Sequence, residues 1–526
     1  MKKYITISIL SLLAFATIYR CNDLDLEPLN RLSEAAYYKT AADFDGAIFS
    51  VYSSTQDYFA PGLGDGTSGF DGGTRMPWQK LVGLTDDDMF QQYTNDSAYD
   101  AQILQGSSDP EATLSLAFRV TYKGIYRANL ILKKIEEDDV DLTEAKKATY
   151  IAEAKFLRAF FHFQAMKLWG NPPLVTEVAE NLATASIPNS TSEALYAAIL
   201  SDFEAAFTGL PLSWDDSNKG RATKWAAKAY VGKVNVWKQD WTAATSAFQE
   251  VVGSGAFALE SNYDDVFAWD NENNIESIFE IQASGNFDGN NNIWVMDDTE
   301  IAAQQGMLRP FHFGISNQLH PGGNAVVGWR GGWGQLWAAT KEIEELFEPG
   351  DKRFPVSLYA EGDDYIGMPD GKPTEVFTYT KDWMHTAKGT NIKKYMGPRN
   401  SVTENYSSNG GTDYSNHRWF RYGGMLLLYA EALIQSGNTS AGMDIINNQI
   451  RSRAGLGATT EADPIKALID ERRRELAFEY HRIFDVQRWG IGAQVFSNWD
   501  SRFRYFPMPQ REIDASEGEL TQSPGW

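Results

Sequence analysis

A single cysteine in 526 residues, Cys21, leaves no partner for an internal disulfide, so packing alone must hold the fold in any redox compartment. Positive charge is scarce as well. Lys and Arg number 47 against 70 Asp and Glu, a formal net charge of −23, and such a surface repels phosphate backbones and anionic lipid. Nucleic acid is therefore not an expected partner. The six histidines, His162, His312, His320, His385, His417 and His481, show no metal-ligand spacing. No H-E-x-x-H motif occurs and no cysteine pair exists for zinc, so neither a metal nor a cofactor is expected. A G-x-S-x-G nucleophile elbow is absent too. The literal G-x-G-x-x-G at Gly64 to Gly69 follows no β-run and opens no helix, which makes it a loop and not a dinucleotide site. Asp86-Asp87-Asp88 lacks the alternating ligands of a calcium loop and reads as a solvated turn or a helix cap.

What is present begins at the N-terminus. Lys2 and Lys3 precede an apolar run from Ile5 to Ile18, then Cys21 and the acidic stretch Asn22-Asp23-Leu24-Asp25-Leu26-Glu27. That run falls short of the roughly 20 residues of a membrane-spanning helix and has the form of a bacterial export signal. Acylation of Cys21 would anchor the mature chain at about 0.8 kcal/mol per buried methylene. An ordinary cleaved signal with an incidental cysteine is the alternative, because Ile18-Tyr19-Arg20 departs from a small-residue cleavage site.

Helical periodicity dominates the remainder. Ile151, Ala154, Leu157, Phe161, Ala165 and Leu168 form one stripe that Phe156, Phe160 and Phe163 widen, so this helix must be covered on more than one side. Gly170, Pro172 and Pro173 end it. Further helices are expected near 112–136, 192–208, 221–238, 240–253, 339–348, 424–436, 440–453 and 464–489, with strands at 277–282 and, as shorter pieces, near 375–380 and 503–506. Helical hairpins around 221–252 and 424–450 carry small and large residues at tetratricopeptide-like offsets, including Gly232, Ala244, Phe248 and Val251. Long irregular segments at 56–100, 284–338 and 350–420 separate these helices, and loops of such length inside a compact domain usually serve function. The run Glu471-Arg472-Arg473-Arg474-Glu475 reads as structural, with i,i+3 pairs Glu471–Arg474, Arg472–Glu475 and Glu479–Arg482 beside a stripe of Leu476, Tyr480 and Ile483.

Several motifs together resemble one family along essentially the whole chain. Glu153 to Phe161 leads into Leu168-Trp169-Gly170-Asn171-Pro172-Pro173; Arg221-Ala222-Thr223-Lys224-Trp225 opens a later helix; Tyr429-Ala430-Glu431-Ala432, Ile450-Arg451-Ser452-Arg453-Ala454-Gly455 and Asp470 to Glu479 follow in order. Phe506-Pro507-Met508-Pro509-Gln510 and Gln522-Ser523-Pro524-Gly525-Trp526 close the chain. In order and spacing these resemble the SusD/RagB outer-membrane lipoproteins of Bacteroidetes. The resemblance implies a mainly α fold with four tetratricopeptide-like helix pairs, long loops and few strands. It also implies a non-catalytic, lipid-anchored protein at the cell surface that captures oligosaccharides or polysaccharide for a SusC-like TonB-dependent transporter. The corresponding division is 1–20 signal peptide, 21–30 acidic tether and 31–526 folded domain, the last split into 31–215 and 216–526. A secreted carbohydrate-active hydrolase and a tetratricopeptide adaptor that binds only protein remain alternatives.

Sugar rings offer apolar C–H faces and a rim of hydroxyls, so a glycan site needs exposed aromatic surfaces flanked by directional hydrogen-bonding groups. Two loop segments fit. The first, 58–78, holds Tyr58, Phe59, Phe70, Asp71, Arg75 and Trp78; the second, 286–337, holds Asn292, Trp294, Trp329, Arg330, Trp333 and Trp337. Candidate glycan-binding residues are Trp78, Trp294, Trp329 and Trp333 with Asp71, Arg75 and Asn292. Basic residues in these loops are few, mainly Arg75, Arg309 and Arg330, which favours a neutral glucan or fructan over a sulfated polymer.

Overall fold

The structure, a computed structural model, describes residues 37–59, 78–83, 87–91, 111–181, 187–283, 320–323, 337–367, 375–383, 390–396, 415–497 and 499–526. It is mainly helical, as expected. Helix α1 (Ala41–Gln56) starts at a capping box in which Thr40 accepts from the Asp43 amide while the Asp43 carboxylate accepts from the Thr40 amide. Helices α2 (Glu111–Lys134), α3 (Glu144–Trp169), α4 (Ser192–Gly209), α5 (Lys224–Lys238) and α6 (Trp241–Ser254) follow, each packed on the next. Helix α3 is buried all round from Phe156 to Trp169 except at Arg158, which is half-buried, as its widened stripe requires. It stops at Gly170, whose φ of 76° would strain any other residue and whose missing Cβ leaves room for the Tyr505 ring.

Two residues, Gln239 and Asp240, turn α5 back into α6, and Phe248 packs against Gly232 where a Cβ would collide. Beyond α7 (Lys341–Leu346), helix α8 (Tyr422–Gln435) packs on α6, and α9 (Thr439–Asp444) runs into a π-helical turn at Ile445–Arg451. Helices α10 (Pro464–Glu475), α11 (Arg482–Trp489) and α12 (Gln510–Ala515) complete the frame. The described strands form two-stranded antiparallel pairs: β1 (Met89–Gln91) with β3 (Trp337–Ala339), β2 (Ser277–Ile281) with β6 (His417–Arg421), and β4 (Asp364–Gly367) with β5 (Glu375–Thr378).

Expectation and structure part at 464–489. The anticipated single helix breaks at 476–481, where Phe478 and Tyr480 take φ of 64° and 60°. Carbonyls freed by the break find buried donors: the Tyr263 hydroxyl and Arg421 Nη2 reach Glu475 O at 2.7 and 2.6 Å, and Lys394 Nζ reaches Ala477 O at 2.8 Å. The break also redirects the charged run. Glu471–Arg474 forms at 2.7 Å as the i,i+3 rule predicts. Arg472 instead pairs with Asp485 at 2.6 Å, and Glu475 joins Arg353, Arg421 and Arg453. Arg482 reaches Asp87 and Arg473 reaches Asp88, each at 2.6 Å, so Asp87 and Asp88 are ion-pair anchors and not a solvated turn. The anticipated strand near 503–506 is also absent: Ser501–Arg504 forms a 3-10 turn after the Asp500 cap.

Candidate functional site

Of the aromatic candidates, Trp78 lies within the described residues, and its placement overturns the expectation of an exposed platform. The indole is 2 % exposed. Ring centroids of Trp419, Tyr58 and Phe484 lie 4.7, 5.1 and 5.5 Å away, and the Lys167 ammonium stands 5.2 Å from the ring. Tyr58 and Phe59 are sealed in the same core, Tyr58 sharing a 2.8 Å hydrogen bond with Thr121 and Phe59 lying 4.6 Å from the His417 ring. Large rings bury more apolar area than any other side chain, so aromatics at the ends of an irregular segment gain more from the core than from solvent. Asp71, Arg75, Asn292, Trp294, Trp329 and Trp333 lie outside the described residues, as do Cys21 and the rest of the N-terminal segment.

The residues that flank those segments nevertheless come together. The Trp78 amide donates to Tyr58 O at 3.2 Å, which holds residues 58 and 78 together. Gln56 Nε2 donates to Gln282 O at 2.7 Å, and the Ala283 amide donates to Asn416 Oδ1 at 2.7 Å. Gln56, Tyr58, Trp78, Gln282, Ala283 and Asn416 therefore share one neighbourhood, built on the β2–β6 ribbon and α1. Strand β3, just after 324–336, is tied to β1, and its Ala339 amide donates to Thr390 O at 3.0 Å.

Two aromatic surfaces emerge that the sequence analysis did not single out. On the β4–β5 hairpin, Tyr365 stacks on Phe377 at 5.3 Å, and His320 lies 4.5 Å from both Phe377 and Trp383. Phe377, Trp383 and His320 are half-buried, and burial lowers the His320 pKa while Glu375 opposes the shift. The dense aromatic spacing from Tyr359 to Trp383 was the available signal. The other surface is a groove of about 1110 Å³ between α2 and residues 173–180. Along it Phe118 stacks on Tyr122 at 4.3 Å, the Tyr122 hydroxyl donates to Pro173 O at 2.8 Å, and Tyr126 is 51 % exposed. Helical spacing of four places these three rings in one row. Rings with Lys133 and Glu177 beside them suit ligands that combine apolar faces with hydroxyls.

Among the described residues no group of three or more His, Cys, Asp or Glu is placed to hold a metal ion, and no helix is long and apolar enough to cross a membrane.

Comparison with known proteins agrees with this architecture. A sequence model of the SusD family matches residues 252–501, and one described as starch-binding associating with outer membrane matches residues 77–236. A SusD-like protein of Formosa agariphila is 24% identical over 521 aligned residues, covering 92% of this chain and 90% of the relative. The starch-binding protein SusD of Bacteroides thetaiotaomicron is 22% identical over 585 aligned residues, covering 100% and 99%. Surface glycan-binding protein A of Bacteroides thetaiotaomicron, solved in complex with laminarihexaose, shares the fold with a TM-score of 0.72 at 23% identity, covering 92% of this chain and 100% of that one. With both halves matched in order on a shared helical frame, the chain belongs to the SusD/RagB family.

Proposed function

We propose that this protein is a cell-surface lipoprotein that captures oligosaccharides or polysaccharide and hands them, without chemistry, to a SusC-like TonB-dependent transporter. One observation carries most of the reading: the same fold holds laminarihexaose in surface glycan-binding protein A, and a relative aligned over the full chain is named starch-binding. The shared neighbourhood of the loop-flanking residues supports it, since segments anchored on one rigid frame are suited to form a composite binding surface. In this reading residues 1–20 are the export signal, Cys21 carries the acyl anchor, 21–30 form the tether to the outer membrane, and 31–526 form the binding domain. Trp294, Trp329 and Trp333 supply the stacking faces, with Asp71, Arg75 and Asn292 as hydrogen-bonding partners, and Trp78 belongs to the core. Affinity per site should be modest, because replacing water around many hydroxyls returns little net free energy.

The test is incubation of the soluble domain lacking residues 1–21 with end-labelled polysaccharides. Retention at unchanged chain length is the expected result. Shortened chains would indicate a hydrolase, and association with a transporter but with no glycan would indicate a protein-only adaptor.

A further inference from the structure

Where α3 ends against the start of α4 lies a small cavity of about 40 Å³, whose lining includes Lys167, Tyr196, Arg488, Arg504 and Tyr505. Lys167 is 5 % exposed. Its ammonium rests among aromatic rings, 4.2 Å from the Phe484 centroid, 5.4 Å from Phe163 and 6.0 Å from Trp237. Among the described residues it has no hydrogen-bond acceptor and no carboxylate within ion-pair distance.

The nearby acids are already engaged. Asp485 takes Arg472 at 2.6 Å and Arg488 at 2.8 Å. Glu431 takes both Nη atoms of Arg488, at 2.5 and 2.7 Å, and the Trp489 indole N–H at 2.8 Å. Arg504 is half-buried at the same cavity, with its guanidinium 5.6 Å from the Tyr505 ring and no acid partner among the described residues. Lys233, also buried, lies 4.1 Å over Phe420 without an acid. Lys167, Lys233, Arg472 and Arg488 thus share Asp485, Glu431 is committed to Arg488, and Arg504 lines the same cavity as Lys167; positive charge is in excess here, inside a chain whose formal net charge is −23.

A buried charge without a counter-charge costs several kcal/mol, so a lysine in this setting either sheds its proton or acquires an anion. Burial pulls the Lys167 pKa well down and Lys233 adds to the fall, while Asp485 opposes it. The surrounding rings favour the charged form. The cavity supplies what an anion needs: two cations without an acid partner among the described residues, phenol groups, and Ser192 at the start of the 18-residue helix α4, where backbone amides concentrate partial positive charge. One water needs about 10 to 15 Å³ of such space, so the cavity has room for a small anion with a water or two beside it.

We propose that this cavity binds one small anion of the size of chloride between the Lys167 ammonium and the Arg504 guanidinium, with the Tyr196 and Tyr505 hydroxyls as flanking donors. The bound anion ties the ends of α3 and α4 to the Ser501–Arg504 turn. Its occupancy is independent of glycan capture.

Crystals of the soluble domain soaked in sodium bromide test the site, together with melting curves in sodium chloride against sodium gluconate at equal ionic strength, gluconate being the bulkier anion. The expected results are an anomalous bromide peak between Lys167 and Arg504 and a saturable stabilisation by chloride that K167M abolishes. In R504Q the half-saturating chloride concentration should rise roughly tenfold, the effect of losing one charge-assisted contact. If K167M does not fold, R504Q carries the comparison, since Arg504 is half-buried and not sealed in the core. A cavity without an anomalous peak, or an identical chloride response in wild type and R504Q, overturns the proposal.

Discussion

Arg421 Nη1 and Glu475 Oε1 meet at 2.6 Å with both side chains sealed from solvent, joining the end of β6 to the last residue of α10. Around this pair Arg353, Arg451, Arg453 and Lys394 interleave with Glu276, Glu471 and Glu479. Burial opposes ionisation of Glu475, yet Arg453, Arg421 and Arg353 hold its carboxyl far below the usual range. The charged run of α10 thus works inward, fixing the ribbon on which the loop-flanking residues converge.

Replacing Glu475 with Gln leaves three guanidinium groups buried beside a neutral amide. Loss of one partner from such a network costs about 3 to 5 kcal/mol. Urea denaturation of the soluble domain should show a drop of that order, and a change below about 1 kcal/mol would mean that the network is effectively solvated.

His162 should make the fold acid-sensitive. Its Nδ1–H donates to Arg158 O at 3.0 Å and its Nε2 accepts the Val175 amide at 3.2 Å, an arrangement open only to the neutral ring. Burial pushes its pKa down from 6.5 to about 3. Below pH 6.5 the unfolded chain therefore binds a proton that the folded protein refuses, and stability falls with pH at about 1.4 kcal/mol per unit. The half-buried His481, whose pKa is also lowered by desolvation, adds to the same window. Denaturation curves between pH 7 and pH 4.5 should show a shallower slope for His162→Gln than for wild type; parallel slopes would contradict the assignment.

Trp78→Ala should destabilise the protein by about 3 to 5 kcal/mol, as for other large aromatic truncations in cores. Trp294→Ala should leave the melting temperature unchanged and weaken glycan retention. The reverse pattern in these two variants would exchange their roles.

Gly124 sits under the Phe161 ring, where an added Cβ would collide. Gly124→Ala should cost about 1 to 3 kcal/mol through overpacking, despite the higher helix propensity of alanine. A melting temperature equal to or above wild type would show that the α2–α3 contact has slack.

Much of the frame was legible because burial writes itself into helical periodicity: the stripe and the Gly170 exit of α3 predicted that helix and its thorough coverage. Helix α1 escaped notice although Thr40 and Asp43 carry the spacing of its capping box. The break after Glu475 was not legible, since it depends on Tyr263, Lys394 and Arg421, donors brought from distant positions, and no local glycine or proline marks it. Trp78 misled for a related reason. A tryptophan after a glycine-rich stretch looks like a loop residue, whereas the hydrogen bond from its amide to Tyr58 O draws it into the core. Residue type alone does not separate a ring that packs from one that waits for ligand; the tertiary contacts of the flanking backbone do.

Affinity electrophoresis of the soluble domain through native gels containing individual polysaccharides tests the central claim most directly. The account predicts retardation by at least one neutral glycan, reduced in Trp294→Ala and Trp329→Ala and retained in Arg504→Gln. Uniform mobility of the wild-type protein across the whole panel would contradict it.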